Sequence, residues 1–149
     1  PNAMMNRLKS LIERMKKETI NGELASNNPV YRDKLMKIQG KVIAFQSNSL
    51  RVLSAKLNKN QDVKIAGMIQ KLVGTELRHE LEGFAIDIMG ELGTLYENSP
   101  NIRDGGSWQV AYTYFLGLII GGGTSQIQKN IISERGLGMP KEPKMPQGA

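Results

Sequence analysis

The chain has 149 residues, 40% hydrophobic and 5% aromatic with 8 methionines, so one domain with an aliphatic, methionine-filled core is expected. It holds no cysteine and a single histidine, which excludes disulfide frameworks, thiolate metal sites and the common paired-histidine metal sites. The formal net charge is +6, and most Lys and Arg lie before residue 72, interleaved with acidic and apolar residues. A basic domain can bind nucleic acid or an acidic membrane surface. Aromatic residues for base stacking are sparse in the basic half, however, and no nucleic-acid motif is present. The charge therefore reads as solvated helix faces, which also suit a phosphate-rich cofactor or a CoA thioester. No apolar run reaches the roughly 18–20 residues of a membrane span and no signal peptide is visible, which predicts a cytoplasmic protein.

Pro1-Asn2-Ala3, ahead of Met4-Met5, reads as an expression remnant, leaving 4–138 as the folded domain. Met4, Leu8, Leu11 and Met15 recur at helical spacing and predict a first helix over 4 to about 20, ended by Asn21-Gly22. Asn28-Pro29 pairs a capping residue with proline at a first turn, opening a second helix that should reach Asn58. Its stripe of Tyr31, Leu35, Ile38, Val42, Phe45, Ser49 and Val52 repeats every 3.5 residues, the period of a long helix in a bundle. Gly40 inside it is costly and marks an expected close helix crossing.

A third helix is predicted from Gln61 to Met89, with Ile65, Ile69, Leu72, Val73, Leu77, Leu81, Phe84 and Ile88 facing inward. Gly67 and Gly74 suggest near approach of a neighbour. His79, between Arg78 and Glu80, reads as a solvated or salt-bridged surface residue. From Gly90 to Ser107 turn formers break the pattern. Trp108 to Ile120 has almost no polar face, which predicts a helix buried among the others or at a subunit interface. The proline-rich residues 139–149 are expected to lie extended or disordered. Together these elements predict an all-α fold, an antiparallel four-helix bundle with a short terminal helix.

Gly121-Gly122-Gly123-Thr124-Ser125 separates the apolar run from that last helix. Glycines let a backbone or ligand approach closely, and Thr124 or Ser125 can cap the last helix. Ser125 and Gln128 stand at capping-box spacing. The open amides of such a helix start suit an anion, although three glycines without a lysine do not make a P-loop. On these residues alone, a well-capped corner and a phosphate site both stand.

Gly121 to Pro140 resembles the C-terminal signature of the acyl-CoA dehydrogenase family, in which Gly-Thr-Ser-Glu/Gln-Ile-Gln leads into a last helix ending in Glu-Arg-x-Leu-Gly. Asp104 to Gln109 is similar to the family's Asp-Gly-Gly-x-Trp-Gln entry to the preceding helix. Ile88 to Gly93 resembles its Leu-Leu-Gly-x-x-Gly corner, and Gly22 to Arg32 the turn between the domain's first two helices.

The resemblance implies a C-terminal four-helix bundle from a flavoprotein that oxidises an acyl-CoA to the trans-2-enoyl-CoA. There a glutamate acts as general base and FAD accepts the hydride. It also implies that Gly123, Thr124 and Gln126 approach the flavin or its phosphates, while Gly90 and Gly93 belong to a corner near a partner subunit's cofactor. The family's base position holds Gly122, so no catalytic residue is assigned. Its Arg-x-x-Phe-Gly positions hold Glu18, Asn21 and Gly22, and a glutamate facing a pyrophosphate would repel it. The implied assembly is a homo-oligomer, a dimer or tetramer. Acyl-CoA would bind only with the family's N-terminal and middle domains, so this chain is not expected to be active alone. The alternative is a non-catalytic stand-alone bundle acting as an oligomerisation or partner-subunit module.

Overall fold

A computed structural model describes residues 2–59, 63–141 and 143. Helix α1 spans Asn2–Met15 and buries the predicted Met4, Leu8, Leu11 and Met15. It stops earlier than expected because the chain turns into a two-stranded antiparallel ladder, β1 (Thr19–Ile20) with β2 (Glu23–Leu24). Asn21 and Gly22 form the tip at φ 53° and 82°. Asn-Gly thus makes a tight hairpin instead of a helix cap, both central residues taking the left-handed conformation such a turn demands.

Helix α2, Pro29–Leu57, starts where Asn28 Oδ1 accepts from the amides of Val30 (3.0 Å) and Tyr31 (3.3 Å). Helix α3 spans Lys64–Met89; the predicted start at Gln61 lies outside the described residues. The two run antiparallel, as contacts of Lys34 with Asp87, Lys41 with Glu80 and Asn48 with Ala66 require. Gly74 is the close crossing: a Cβ there would stand 2.9 Å from Phe45 Cζ. Gly40 and Gly67 are not crossings, since nothing among the described residues lies within 4 Å of either Cβ position.

Helices α4 (Ser107–Ile120) and α5 (Ser125–Ile131) come next, and a single π-turn over Ile132–Gly136 ends the fold. Gly138 to Lys141 and Pro143 form no helix; the rest of the predicted tail lies outside the described residues. The loop before α4 contains two 3₁₀ turns, Gly90–Thr94 and Asp104–Gly106. Among the described residues, no helix is long and apolar enough to cross a membrane.

The core sits where α1 crosses α2 and α3, around Leu8, Leu11, Ile38, Val42, Leu81, Phe84 and Ile88. At 1.5 Å per residue α1 covers about 21 Å of an α2 about 43 Å long. Beyond that cover, Ile65 and Val73 of the predicted inner stripe are exposed. Helix α4 is not enclosed by the others either. Trp108 is its one fully buried residue, and Val110, Tyr114, Leu116 and Ile120 face outward.

One carboxylate joins α1 to α3, and its partner Arg7 carries the link on to α4. Glu82 of α3 is completely buried, a position that charged groups hold only when paired. Arg7 of α1 grips it through Nε and Nη2 at 2.7–3.0 Å, and Arg78 Nε donates to Oε1 at 2.5 Å. Arg7 also donates to the carbonyl of Ser107 at 3.1 Å and lies 3.4 Å from the Trp108 ring centroid. Nearby, Arg14 pairs with Asp104 and Glu18, Arg103 Nε donates to Glu18 Oε1 at 3.0 Å, and Trp108 Nε1 donates to Asp104 at 2.6 Å.

Replacing Glu82 with alanine strands two largely buried guanidinium groups and should cost about 3 kcal/mol in a urea titration. The Arg14 guanidinium, hydrogen-bonded to Asp104, holds that carboxyl below the usual aspartate range, and Trp108 adds to the effect against partial burial. A depressed folded-state pKa means stability that is present at neutral pH and lost as pH falls through it. The Asp104 side chain is 43% exposed, so screening limits the effect to about 0.5–1 kcal/mol. Asp104→Asn should therefore be less stable than wild type at pH 7, with the gap closing in acid as the wild-type carboxyl protonates.

Candidate functional site

The site is built on the turn between α4 and α5. Gly121 N donates to Gly117 O at 2.8 Å and closes α4. Gly122 (φ 69°) and Gly123 (φ 100°) then reverse the chain in the region that glycine alone enters cheaply. A Cβ on Gly123 would also stand 3.0 Å from Gln128 Nε2 and 3.2 Å from Ile127 Cγ2. At Gly122 the Cβ direction is open, so only backbone conformation calls for glycine.

Lys71 of α3 braces this turn, its Nζ donating to Gly123 O at 2.6 Å and Ile119 O at 3.2 Å. A cation there satisfies carbonyls at the negative end of α4. Thr124 is the N-cap of α5, its Oγ1 accepting from Ile127 N at 3.3 Å. Ser125 does not cap; its hydroxyl donates to Glu76 Oε1 at 2.6 Å. Gln128 reaches back to Gly122 O at 2.8 Å. The predicted Ser125–Gln128 box is thus displaced, because the left-handed glycines turn the Gly122 carbonyl toward the Gln128 amide.

Thr124 and Gln126 are both exposed on this turn, beside Gly123. Gly90 and Gly93 lie elsewhere. Gly90 ends α3 at φ 55° with nothing near its Cβ position, and Gly93 is buried, where a Cβ would meet Ile86 O at 2.6 Å. From Lys71 to Gly90 is 19 residues of α3, about 28 Å at helical rise. The five candidate residues therefore form two groups at opposite ends of one helix.

Glu18 does not present a free carboxylate. It is buried, with its oxygen between Arg14 Nη1 (3.0 Å) and Arg103 Nε (3.0 Å), so it is neutralised within the protomer. His79 is not a solvated surface residue either. It stacks on Tyr112 with centroids 4.1 Å apart, and its buried Nε2 has no hydrogen-bond partner among the described residues. Local pattern does not mark Lys71 and Glu76, whose partners lie 48 to 52 residues further along.

Residues 2–137 match the family described as acyl-CoA dehydrogenase, C-terminal domain. The chain is similar to acyl-CoA dehydrogenase IpdE1 of Mycolicibacterium smegmatis, 31% identical over 122 residues that cover 80% of this chain and 28% of that one. It is 35% identical over 71 residues to acyl-CoA dehydrogenase FadE26 of Mycobacterium tuberculosis, covering 48% and 18%. Its fold resembles the ChsE4–ChsE5 complex from Mycobacterium tuberculosis, with a TM-score of 0.78 at 22% identity over 94% of this chain and 36% of that one. A structure described as an FAD-dependent dehydrogenase matches with a TM-score of 0.69 at 25% identity, over 93% and 35%. The chain spans less than a third of the length of these curated relatives. Motif order, family match and fold agree: the chain belongs to the acyl-CoA dehydrogenase C-terminal domain family.

Proposed function

We propose that this chain serves an acyl-CoA dehydrogenase-type flavoprotein as its C-terminal domain, supplying part of an FAD site and an oligomer interface. The observation that carries the reading is the Lys71-braced glycine turn with Thr124 and Gln126 exposed beside it. FAD, when bound, supplies the hydride acceptor for α,β-dehydrogenation of an acyl-CoA. The chain's own part is positional. Thr124 and Gln126 offer polar groups to the nucleotide, and Lys71 offsets the carbonyl dipole of α4 beside an anionic ligand. Gly122 has no side chain and itself supplies no proton acceptor.

The two glycine corners, about 28 Å apart along α3, fit two different cofactors better than one. Gly123 to Gln126 would border the protomer's own FAD, and Gly90 to Gly93 that of a neighbouring subunit. Assembly is then part of the site. The outward face of α4, with Val110, Tyr114, Leu116 and Ile120, is the surface we assign to a second subunit.

A second reading, a non-catalytic module paired with an active subunit, is favoured by the absent carboxylate at Gly122. Two similar folds, the ChsE4–ChsE5 complex and the Tcur3481–Tcur3483 steroid ACAD, are described by paired names.

Titration with FAD, read by flavin fluorescence alongside light scattering, should show saturable micromolar binding by an oligomer. Lys71→Met should weaken that binding at least tenfold while helical content is kept. Absence of binding by the wild-type oligomer would contradict the flavin role and leave the second reading. Gly122→Glu should create no dehydrogenase activity in this chain with an artificial electron acceptor; turnover of any acyl-CoA would refute the positional assignment.

A further inference from the structure

Two adjacent residues compete to start α5. Serine and threonine both cap helices well, and serine ranks slightly higher. With Ser125 as the cap, Gln128 falls at the third helical position, where a glutamine side chain can reach back to the cap amide and close a capping box. With Thr124 as the cap, that position holds Ile127, whose apolar side chain closes no box. Local rules therefore favour Ser125. Yet Thr124 is the cap and Ser125 already lies inside the helix.

Three contacts bear on the choice. Lys71 holds Gly123 O, which precedes both candidate caps and does not tell them apart. Gln128 Nε2 donates to Gly122 O at 2.8 Å, so it exchanges one backbone partner for another and loses little by leaving the box. Glu76 acts on the competing residue itself, Ser125 Oγ donating to its Oε1 at 2.6 Å. That hydroxyl is drawn toward α3, and among the described residues no backbone amide donates to it. A hydrogen bond to a carboxylate is about twice as strong as a neutral one. The preference for serine over threonine as a cap is smaller than that.

We infer that Glu76 is a positioning residue: by drawing the Ser125 hydroxyl toward α3, it sets the start of α5 at Thr124. Without it the start moves one residue along, Ser125 becomes the cap, and Gln128 leaves Gly122 O for the Ser125 amide. Thr124 Oγ1 then releases the Ile127 amide, and the turn that carries Thr124 and Gln126 is reset. The effect on cofactor binding rests on the flavin reading, whereas the start of α5 does not.

Backbone chemical shifts of the whole chain report that start directly. Glu76 is exposed, so removing its side chain leaves the core intact. The Ser125 Cα shift should be helical in the wild type and extended in Glu76→Ala. Glu76→Gln, whose amide oxygen still accepts the hydroxyl, should keep the wild-type value. Glu76→Ala combined with Ser125→Ala should return position 125 to helical values, because alanine is a poor cap. A Ser125 that stays helical in Glu76→Ala would overturn the inference. So would an extended position 125 in the double variant, which would mean general loosening of α5. Thr124→Ala should speed amide exchange at Ile127 about fivefold in the wild type and leave it unchanged in the Glu76→Ala background. Equal acceleration in both also overturns it. Glu76→Ala should bind FAD more weakly than Glu76→Gln, and equal affinity would refute the positioning role at the cofactor. A wild type that binds no FAD would refute the flavin reading, with the start of α5 still decided by the shifts.

Discussion

The fold depends on a carboxylate with no access to water. Glu82 is fully buried, and its two oxygens are shared between the Arg7 fork and Arg78. Bidentate arginine–carboxylate contacts are among the stronger and more directional polar interactions. Arg7 uses what remains of its guanidinium on the Ser107 carbonyl and the Trp108 ring, so the same side chain that neutralises Glu82 also holds the start of α4. An apolar replacement of the whole cluster would forfeit the geometry that aims α4, even where it left stability unchanged. The rest of the chain inherits that aim, including the place at which Ile120 hands over to the three glycines.

Lys71 continues the same logic at the far end of α4, tying the Ile119 carbonyl of α4 and the Gly123 carbonyl of the turn to α3. The glycine turn is therefore fixed at both sides by charges on one helix. Thr124 and Gln126 stay exposed on it, while Ser125 between them donates to the Glu76 carboxylate. Helices α2 and α4 also carry outward apolar faces. On both helices these side chains are exposed in the protomer.

Local period and turn chemistry make much of this legible in the sequence. The inner faces of α1 and α2, the Asn28–Pro29 start and the glycine corner come from spacing alone. The ion-pair node does not, since Arg7 and Glu82 are 75 residues apart and no pattern within either helix links them. Asn21-Gly22 reads as a helix end yet forms a hairpin, because the same dipeptide serves both purposes. Gly40 reads as a crossing inside the protomer, yet its neighbourhood is empty. On α2 the strong inner stripe conceals the outer one, because a helix apolar on two opposite faces loses the contrast by which such stripes are found. Exposure of α4 depends on how many helices surround it, which composition does not encode.

Hydrogen–deuterium exchange with and without FAD tests the central claim most directly. Flavin should slow exchange in two separated segments at once, 122–128 and 88–94, in the oligomeric protein. Protection confined to other parts of α2 and α3, or protection in neither segment, would contradict a cofactor edge at the glycine turn.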